Sequence, residues 1–426
     1  MMKNHLSVIF LPTNKCNVNC EYCFEDKTDD RMSLDQLSTV TVKLLDFMDE
    51  SSISSLTLHW QGGEIMTMPV EWFEQAHERI SALAQARNKR VDHGLQTNMI
   101  AYAPRWNRIV KEMFGNSVGT SMDYPNLYRK MFRGGPDDYT RIWKRNIQVA
   151  REAGIGVGVI SVPNRETLKV GAESFYSFFV DELGVTDFQV NTPFPGGEQN
   201  DTKRDLELEN EELSRFFLDL TDVWVERGLS EGVKLGPIDQ LVAHFSGEPS
   251  CLPCIWQSNC ADEFMSIDAR GFVAQCDCWV TSYPDYFFGN IFEHDTLSGL
   301  LKNSPARKEF VDRPAAIVDK DCIECDYLSL CHGGCPVRTY TMRHTLLEKD
   351  PYCHLYKSLF RHTETVAARL AGARVDGTDL RRALIHTGKG KSCGTSSETT
   401  AAAGWQTQPL VQLERRKALQ PDTCQF

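Results

Sequence analysis

The chain has 426 residues, of which 41% are hydrophobic, and its formal net charge is −12. This length is sufficient for two or three domains with a buried core. An acidic chain without a basic patch is a poor partner for nucleic acids or anionic membranes, and no apolar run approaches the roughly 20 residues of a membrane-spanning helix. We therefore expect a cytoplasmic globular protein, in which fifteen cysteines indicate metal sites rather than disulfides.

The first half of the chain alternates predicted strands with predicted helices. Short apolar or alternating segments predict six strands, at residues 7–12, 56–61, 93–98, 118–123, 155–162 and 187–192. Helical periodicity lies between them, for example at residues 34–50 and 69–88. Such alternation implies a parallel sheet with right-handed crossovers. We predict an α/β fold in which residues 1–235 form a partial (β/α)6 barrel, with its site at the carboxyl ends of the strands.

The second half has a different character. After an acidic predicted helix at residues 206–228, ten of the fifteen cysteines lie from Cys251 to Cys353. This density predicts a small cysteine-rich domain over residues 236–372. The remaining residues, 373–426, are rich in Gly, Ser, Thr and Ala, a composition that predicts a disordered tail.

The first three cysteines lie in "KCNVNCEYCF", residues 15–24, directly after the first predicted strand. Three residues separate Cys16 from Cys20, and two separate Cys20 from Cys23. Three thiolates on one tight loop can hold three corners of a four-iron cluster and leave the fourth iron free to chelate a small molecule. A zinc site completed by a distant histidine, or a set of buried free thiols, is the alternative interpretation.

The segment "QGGE", residues 61–64, follows the second predicted strand. Gly62 and Gly63 allow the backbone to approach a ligand closely, and Glu64 can accept a charge-assisted hydrogen bond from an ammonium group. Alone, two glycines and a glutamate are more often a turn. Together with the three cysteines and the aromatic Tyr22 before the last of them, they resemble the radical S-adenosylmethionine (SAM) enzymes.

This resemblance implies a cofactor and a set of residues that bind it. In that family the open iron binds the amino and carboxylate groups of S-adenosylmethionine, whose reductive cleavage yields a 5'-deoxyadenosyl radical. Relatives supply further contacts to the ribose and methionine from the ends of the third and fourth strands. The cofactor-binding residues implied here are Tyr22, Gly62, Gly63, Glu64, Asn98, Ser121 and Asp123. For the last three, a role as ordinary turn residues is the alternative.

Eight later cysteines are enough for two complete four-thiolate sites, and a pair of structural zinc ribbons is the alternative. Their spacing, with Gly271 ahead of Cys276, resembles the SPASM extension of radical enzymes that modify peptides and proteins. That extension holds two auxiliary four-iron clusters, so the chain would hold three [4Fe-4S] clusters in all. By this resemblance the nearer group is Cys254, Cys260, Cys276 and Cys335, and the farther group is Cys322, Cys325, Cys331 and Cys353.

Four cysteines are left over. Cys251 and Cys278 are interpreted as buried or spare thiols, with a role toward the substrate as the alternative, and Cys393 and Cys424 in the tail have no predicted role. The stretch "AQCDCWV", residues 274–280, is similar to the anaerobic sulfatase-maturating enzymes, in which an aspartate after the third nearer-group cysteine acts as base. The resemblance therefore implies a catalytic role for Asp277, and a structural role is the alternative.

The predicted function is that of a radical SAM maturase, which abstracts hydrogen from a residue of a peptide or protein substrate and uses an electron donor such as flavodoxin or ferredoxin. Formylglycine-type oxidation, crosslinking and epimerisation are the possible reactions. Trp60, Tyr124 and Phe194 are candidates to line the substrate cavity, where "SMDYP" at residues 121–125 departs from the "SMDGP" usual in sulfatase maturases. A non-catalytic iron-sulfur carrier or scaffold, which the GGE motif disfavours, and a zinc-binding interaction protein are the alternatives.

Overall fold

The computed structural model describes residues 4–196, 206–256, 259–262, 264–317 and 322–375. All six strands predicted in the first half are present, within a few residues of their expected bounds. The strands are β1 (His5–Phe10), β2 (Ser55–Trp60), β3 (Arg90–Leu95), β4 (Ser117–Ser121), β5 (Gly156–Ser161), β6 (Asp187–Val190), β7 (Lys234–Gly236), β8 (Phe264–Ile267), β9 (Phe272–Ala274) and β10 (Gly289–Asn290).

Helices connect these strands and cover the outside of the sheet. They are α1 (Leu34–Glu50), α2 (Val70–Ala86), α3 (Asn107–Glu112), α4 (Pro136–Glu152), α5 (Arg165–Ser177), α6 (Asn210–Val223), α7 (Ile238–Phe245), α8 (Asp277–Ser282), α9 (Leu297–Asn303), α10 (Pro305–Ile317), α11 (Leu328–Cys331), α12 (Pro336–Arg343) and α13 (Cys353–Val375). A π-helical turn extends α5 (Phe178–Glu182), and another extends α6 (Trp224–Gly228) before a final turn at Leu229–Glu231. Short 3-10 turns lie at Ile65–Thr67, Pro104–Trp106, Cys254–Trp256, Cys260–Asp262 and Pro284–Tyr286.

The sequence explains the bounds of the first helix. Ser33 caps α1 through its side chain, which accepts from the backbone N–H of Gln36, and the Gln36 side chain accepts from the backbone of Ser33 in return. This capping box satisfies two N–H groups that the first helical turn leaves free. The apolar face of α1 is buried, as its 3.6-residue periodicity predicts, and the helix contacts α2 and α9.

The parallel strands lie in two sheets, in the orders β8-β1-β2-β3 and β4-β5-β6-β7, which form the two halves of the barrel wall. An isolated parallel bridge between Gln96 and Gly119 joins the two halves at β3 and β4. The partial barrel predicted from the sequence is therefore confirmed, and two additional strands lie at its ends. The three-residue β7 carries too little pattern to be predicted, and β8 comes from the cysteine-rich region.

The cysteine-rich region is joined directly to the barrel. Its strand β8 pairs with β1, with Ser7 opposite Phe264 and Phe10 opposite Ile267. Antiparallel pairing then adds β9 and β10 outside the barrel. Helix α13 packs on α6 and α7. Because a strand of the second region completes the sheet of the first, a shared site can form where the two meet.

Two further observations concern the C-terminal end of the described chain and the search for a membrane-spanning helix. Helix α13 continues to Val375, so the first three residues of the predicted tail are helical, and residues 376–426 lie outside the described ranges. Cys393 and Cys424 belong to that part of the chain. None of the helices within the described ranges combines the length and the apolar run that a membrane crossing needs.

Candidate functional site

The inside of the partial barrel holds a cavity of about 820 Å³, a size suited to a small-molecule ligand together with part of a larger one. Its walls come from both halves of the chain. The barrel contributes the loop after β1, the "QGGE" segment and the carboxyl ends of the strands, and the cysteine-rich region contributes the nearer group and Asp277. The predicted site residues are thus largely brought together in one place.

The three cysteines of the first loop, Cys16, Cys20 and Cys23, are free and half-buried, and all three line the cavity. Burial raises the pKa of the Cys23 thiol to about 12, with the Cys16 and Cys20 thiols shifted in the same direction. A metal ion's positive charge reverses such a shift and holds coordinating thiols as thiolates. Three clustered thiols without a fourth ligand on the loop therefore fit a cluster with one open iron.

The two glycines of "QGGE" are required by the cysteine loop itself. The Gly63 N–H donates to the Thr13 carbonyl at 3.1 Å, and the Glu64 N–H donates to the Lys15 carbonyl at 2.8 Å. A Cβ added to Gly62 would lie 2.2 Å from the Thr13 carbonyl oxygen, and one added to Gly63 would lie 2.5 Å from that of Asn14. The close approach expected toward a ligand is thus made to the backbone that carries the cysteines.

Glu64 is fixed by three donors from its surroundings. Its carboxylate accepts from the Thr97 hydroxyl at 2.6 Å, from the Met66 N–H at 2.8 Å and from the Asn98 N–H at 2.6 Å. Burial raises the Glu64 pKa, and these three hydrogen bonds oppose the shift. Since an ionised carboxylate has about four acceptor positions, this side chain retains capacity for one donor from the cavity that it lines.

Tyr22 and Asp123 belong to one buried cluster beside the cysteine loop. The Tyr22 hydroxyl donates to Asp123 Oδ2 at 2.5 Å, and Arg129 donates from Nε to Oδ2 at 2.8 Å and from Nη2 to Oδ1 at 3.3 Å. The Val162 N–H donates to Asp123 Oδ1 at 2.9 Å. Tyr22 and Arg129 line the cavity, whereas Asp123 is not part of its wall. The carboxylate therefore acts on the cavity by holding its neighbours.

The other two predicted strand-end residues line the cavity directly. Asn98 follows β3, and its amide donates to Asn17 of the cysteine loop at 2.7 Å. Ser121 ends β4, and its hydroxyl accepts from Gln96 at 3.1 Å. Their predicted contacts to a cofactor stay predictions, and their places on the cavity wall are consistent with them.

Asp277 is the first residue of α8 and lines the same cavity as the cysteine loop. Its Oδ2 accepts from the Gln61 side-chain amide at 2.7 Å. Its carboxylate and the thiols of Cys276 and Cys278 lie within 4.8 Å of one another. Burial raises the Asp277 pKa, and the Gln61 amide opposes the shift. The two halves of the chain thus meet at a carboxyl group that is adjacent to a nearer-group thiol.

The eight later cysteines separate into the two groups expected from the sequence. All four of the nearer group line the main cavity, and all four of the farther group line a separate small cavity with Tyr327 and Lys349. All eight are free thiols. Cys278 is also free and buried, as predicted. Cys251 is disulfide-bonded, so its interpretation as a spare thiol is wrong.

The aromatic candidates differ in position. Phe194 lines the cavity and stacks on Phe24 with ring centroids 5.9 Å apart, and Trp60 contributes to the wall from the end of β2. Tyr124 stacks on Phe178 at 4.1 Å and is not part of the wall. The prediction that Tyr124 borders the substrate cavity is therefore wrong, because an aromatic partner on the π-helical turn holds its ring away.

Three functional neighbours escaped the sequence analysis. Gln61 is part of the quoted "QGGE", but its hydrogen bond to Asp277 spans 216 positions of the chain. Arg129 lies in a loop without any periodic pattern. Glu25 lines the cavity just beyond the third cysteine, and burial, followed by the charge of Asp277, raises its pKa. Only the position of Glu25 next to the cysteine loop could have indicated it.

Comparison with known proteins defines the class. Residues 10–169 match the family model described as the radical SAM superfamily, and this range contains the three first-loop cysteines and "QGGE". The chain therefore carries a radical SAM domain over these residues and is an enzyme. The domain implies one [4Fe-4S] cluster and S-adenosylmethionine as cofactors.

Individual relatives extend the similarity beyond that domain. The chain is 24% identical over 373 residues to a cysteine-type anaerobic sulfatase-maturating enzyme of Clostridium perfringens (strain 13), covering 84% of this chain and 96% of the relative. It is 22% identical over 348 residues to a serine-type anaerobic sulfatase-maturating enzyme of Bacteroides thetaiotaomicron, covering 76% and 81%. The solved structure of native anSMEcpe with bound AdoMet and Kp18Cys peptide has a TM-score of 0.70 at 22% identity, covering 86% of this chain and 99% of that one.

Proposed function

We propose that this chain is a radical SAM maturase that oxidises a cysteine or serine side chain of a peptide or protein substrate to an aldehyde. The observation that carries the proposal is the Asp277 carboxyl group, which Gln61 holds at 2.7 Å inside the cavity that the three-cysteine loop also lines. Similarity to both a cysteine-type and a serine-type sulfatase-maturating enzyme supports the same reaction. A peptide bound to the structurally similar anSMEcpe supports the substrate class.

The residues that would hold the cofactors are those grouped around the two cavities. Cys16, Cys20 and Cys23 would hold the cluster with the open iron, and Glu64 would accept a hydrogen bond from the ammonium group of S-adenosylmethionine. Two auxiliary [4Fe-4S] clusters would occupy the nearer and farther groups, making three clusters in total. When bound, these cofactors supply a hydrogen-abstracting radical and an electron acceptor.

Residues of the chain itself would accept the substrate's proton and orient the group that accepts it. A substrate cysteine loses one hydrogen atom from its β-carbon, one proton from sulfur and one electron, which leaves a carbon–sulfur double bond that water hydrolyses to an aldehyde and hydrogen sulfide. Asp277 is the group that we assign to accept the proton, because it faces the cavity beside Cys276. Gln61 orients that carboxylate through its amide. A small electron-transfer protein such as flavodoxin or ferredoxin would supply the reducing electron.

Mass spectrometry of two synthetic peptides tests the reaction. The full chain, reconstituted with iron and sulfide under nitrogen, is incubated with S-adenosylmethionine, dithionite and a sulfatase active-site peptide that carries either cysteine or serine. We expect the cysteine peptide to lose its sulfur and gain an aldehyde, and the serine peptide, if accepted, to lose two hydrogens. A cysteine peptide that keeps its sulfur while losing two hydrogens would instead identify a crosslinking enzyme.

The role of Asp277 is tested by Asp277→Asn with Asp285→Asn as the matched control. Asp285 lies eight positions further along the chain and is exposed. We expect Asp277→Asn to cleave S-adenosylmethionine but to form product more slowly by a factor on the order of 10² or more, as for loss of a positioned base. The control variant should match the unaltered chain. Equal product from both variants would make Asp277 a structural residue.

A further inference from the structure

Two buried arginines stand beside the nearer group of cysteines. Arg313 of α10 is 4% exposed and Arg338 of α12 is 6% exposed. Both line the main cavity together with the four nearer-group cysteines. Buried arginines are rare unless their charge and their N–H groups are matched by acceptors, so the partners of each guanidinium show what it does.

Arg313 is fully used in holding the fold of the cysteine-rich region. Its guanidinium donates to five acceptors, namely the carbonyls of Leu346 (2.9 Å), Gly334 (3.1 Å), Gly333 (3.2 Å) and Glu348 (3.2 Å) and the Thr339 hydroxyl (3.4 Å). Four of these partners are backbone carbonyls within residues 333–348, between the farther-group cysteines Cys331 and Cys353. Arg313 is therefore a structural cross-link, and nothing about its hydrogen bonding requires a bound group.

Arg338 has a different pattern. Its Nε donates to Asp350 Oδ2 at 3.0 Å, and its guanidinium lies 5.9 Å above the Tyr356 ring. Its Nη2 is buried and has no hydrogen-bond partner among the described residues. Leaving a buried charged donor unsatisfied costs more than leaving a neutral one unsatisfied. Native proteins rarely retain such a group without a ligand or ordered water as its acceptor.

The acceptor that fits this donor is sulfur of the nearer group. Cys335 lies three positions before Arg338, at the N-terminal cap of the same helix. Arg338 lines the same cavity as Cys335 and the other three nearer-group cysteines, so a group bound by these cysteines would lie beside its guanidinium. Hydrogen bonds to sulfur and nearby positive charge are the two protein features that most directly set the potential of an iron-sulfur cluster.

We propose that Arg338 donates its free N–H to sulfur of the cluster bound by the nearer group and thereby raises that cluster's reduction potential. A positive charge stabilises the more negative, reduced state, so the cluster becomes the better acceptor of the electron that leaves the substrate beside Asp277. Arg338 is thus a positioning residue that acts through the cluster. This inference rests on the auxiliary cluster of the proposed function.

The test is a potentiometric titration of the full reconstituted chain, followed by electron paramagnetic resonance of the nearer cluster. Arg338→Gln removes the charge, and Arg343→Gln makes the same change on the same helix at a side chain that is 40% exposed. We expect Arg338→Gln to make reduction at least tenfold less favourable, a fall of about 59 mV for one electron. Arg343→Gln should leave the potential unchanged.

Arg338→Lys keeps the experiment decisive if the glutamine variant does not assemble. Its shorter ammonium group cannot both contact Asp350 and reach sulfur, so we expect a smaller fall in potential. An unaltered potential in whichever variant assembles would overturn the inference while leaving the proposed function intact. Iron and spin counts that show only one cluster in the unaltered chain would overturn both.

Discussion

The barrel and the cysteine-rich region each contain a buried Asp–Arg–Tyr cluster beside a cysteine site, and the two clusters use the guanidinium differently. In the barrel, Arg129 donates to Asp123 from both Nε and Nη2. In the cysteine-rich region, Arg338 donates to Asp350 from Nε, and its Nη2 has no hydrogen-bond partner within the described part of the chain. Both carboxylates also accept from a tyrosine hydroxyl.

The difference relates to what each site has to do. The Asp123 cluster uses its donors internally, so its effect on the first cysteine loop is to fix Tyr22 and the following backbone. The Asp350 cluster is bonded directly to a cysteine segment, because Asp350 Oδ2 accepts from the Cys335 N–H at 2.8 Å. It also leaves one charged donor facing the cavity. The Asp123 cluster stabilises the structure around the first cysteine loop. The Asp350 cluster stabilises the segment at Cys335 and also supplies a positive charge to the cavity.

The largest expected effect is the loss of S-adenosylmethionine cleavage when a cysteine of the first loop is replaced. Replacing Cys16, Cys20 or Cys23 by alanine should abolish cleavage of S-adenosylmethionine, because three thiolates are the minimum that holds a four-iron cluster with one open iron. The auxiliary iron should remain, since its eight ligands all belong to the cysteine-rich region, four in the main cavity and four in the small one. Chromatographic assay of 5'-deoxyadenosine, with iron analysis of the same sample, measures both. Unchanged 5'-deoxyadenosine in any of the three variants would contradict the assignment.

The first loop shows how much of this molecule could be predicted from sequence. Its three cysteines lie within eight residues, so their spacing alone fixes their proximity, and "QGGE" was recognisable beside them. The alternation of strands and helices predicted the barrel because each element carries its own periodicity. The eight later cysteines could be assigned to groups only through resemblance, since their ligand sets interleave along the chain.

The buried charge clusters could not be predicted, for a physical reason. Asp123 and Asp350 meet partners in loops and at helix ends, where no periodicity reports which side chains face each other. Tyr22 and Asp123 are 101 positions apart. Gly62 and Gly63 were predicted to allow a close approach to a ligand, and only the folded chain shows that they also allow a close approach to the backbone of residues 13–15. Burial and long-range pairing, rather than residue type, decided these roles.

The next largest effect compares the two carboxylates directly. Asp123→Asn and Asp350→Asn should each lower the free energy of unfolding by about 3–5 kcal/mol, because each leaves a buried guanidinium without its counter-charge. Urea titration of the full chain measures this loss. We expect Asp123→Asn to reduce 5'-deoxyadenosine formation and Asp350→Asn to reduce auxiliary iron content, since the Asp350 carboxylate accepts a hydrogen bond from the Cys335 N–H.

Glu348→Gln is the control for this pair of variants. Glu348 forms an ion pair with Arg343, and both side chains are about two-fifths exposed, so the change should have little effect on unfolding. If the two aspartate variants lost the same function, or if the control lost as much stability as they did, the two clusters would not be the separate supports described above.

The smallest of the expected effects tests the close contact between the "QGGE" segment and the backbone of the first cysteine loop. Gly63→Ala places a Cβ 2.5 Å from the Asn14 carbonyl oxygen and 2.6 Å from the Lys15 carbonyl carbon. Neither backbone group can rotate away, so the "QGGE" segment must shift from the cysteine loop, at a cost of about 1–3 kcal/mol as for other overpacked sites. We expect weaker binding of S-adenosylmethionine, measured by equilibrium dialysis, with auxiliary iron unchanged. Gly135→Ala, which has φ of −90° and no atom within 4 Å of the added Cβ, should bind normally; equally weak binding by both variants would show that contact with the cysteine loop is not what the glycine provides.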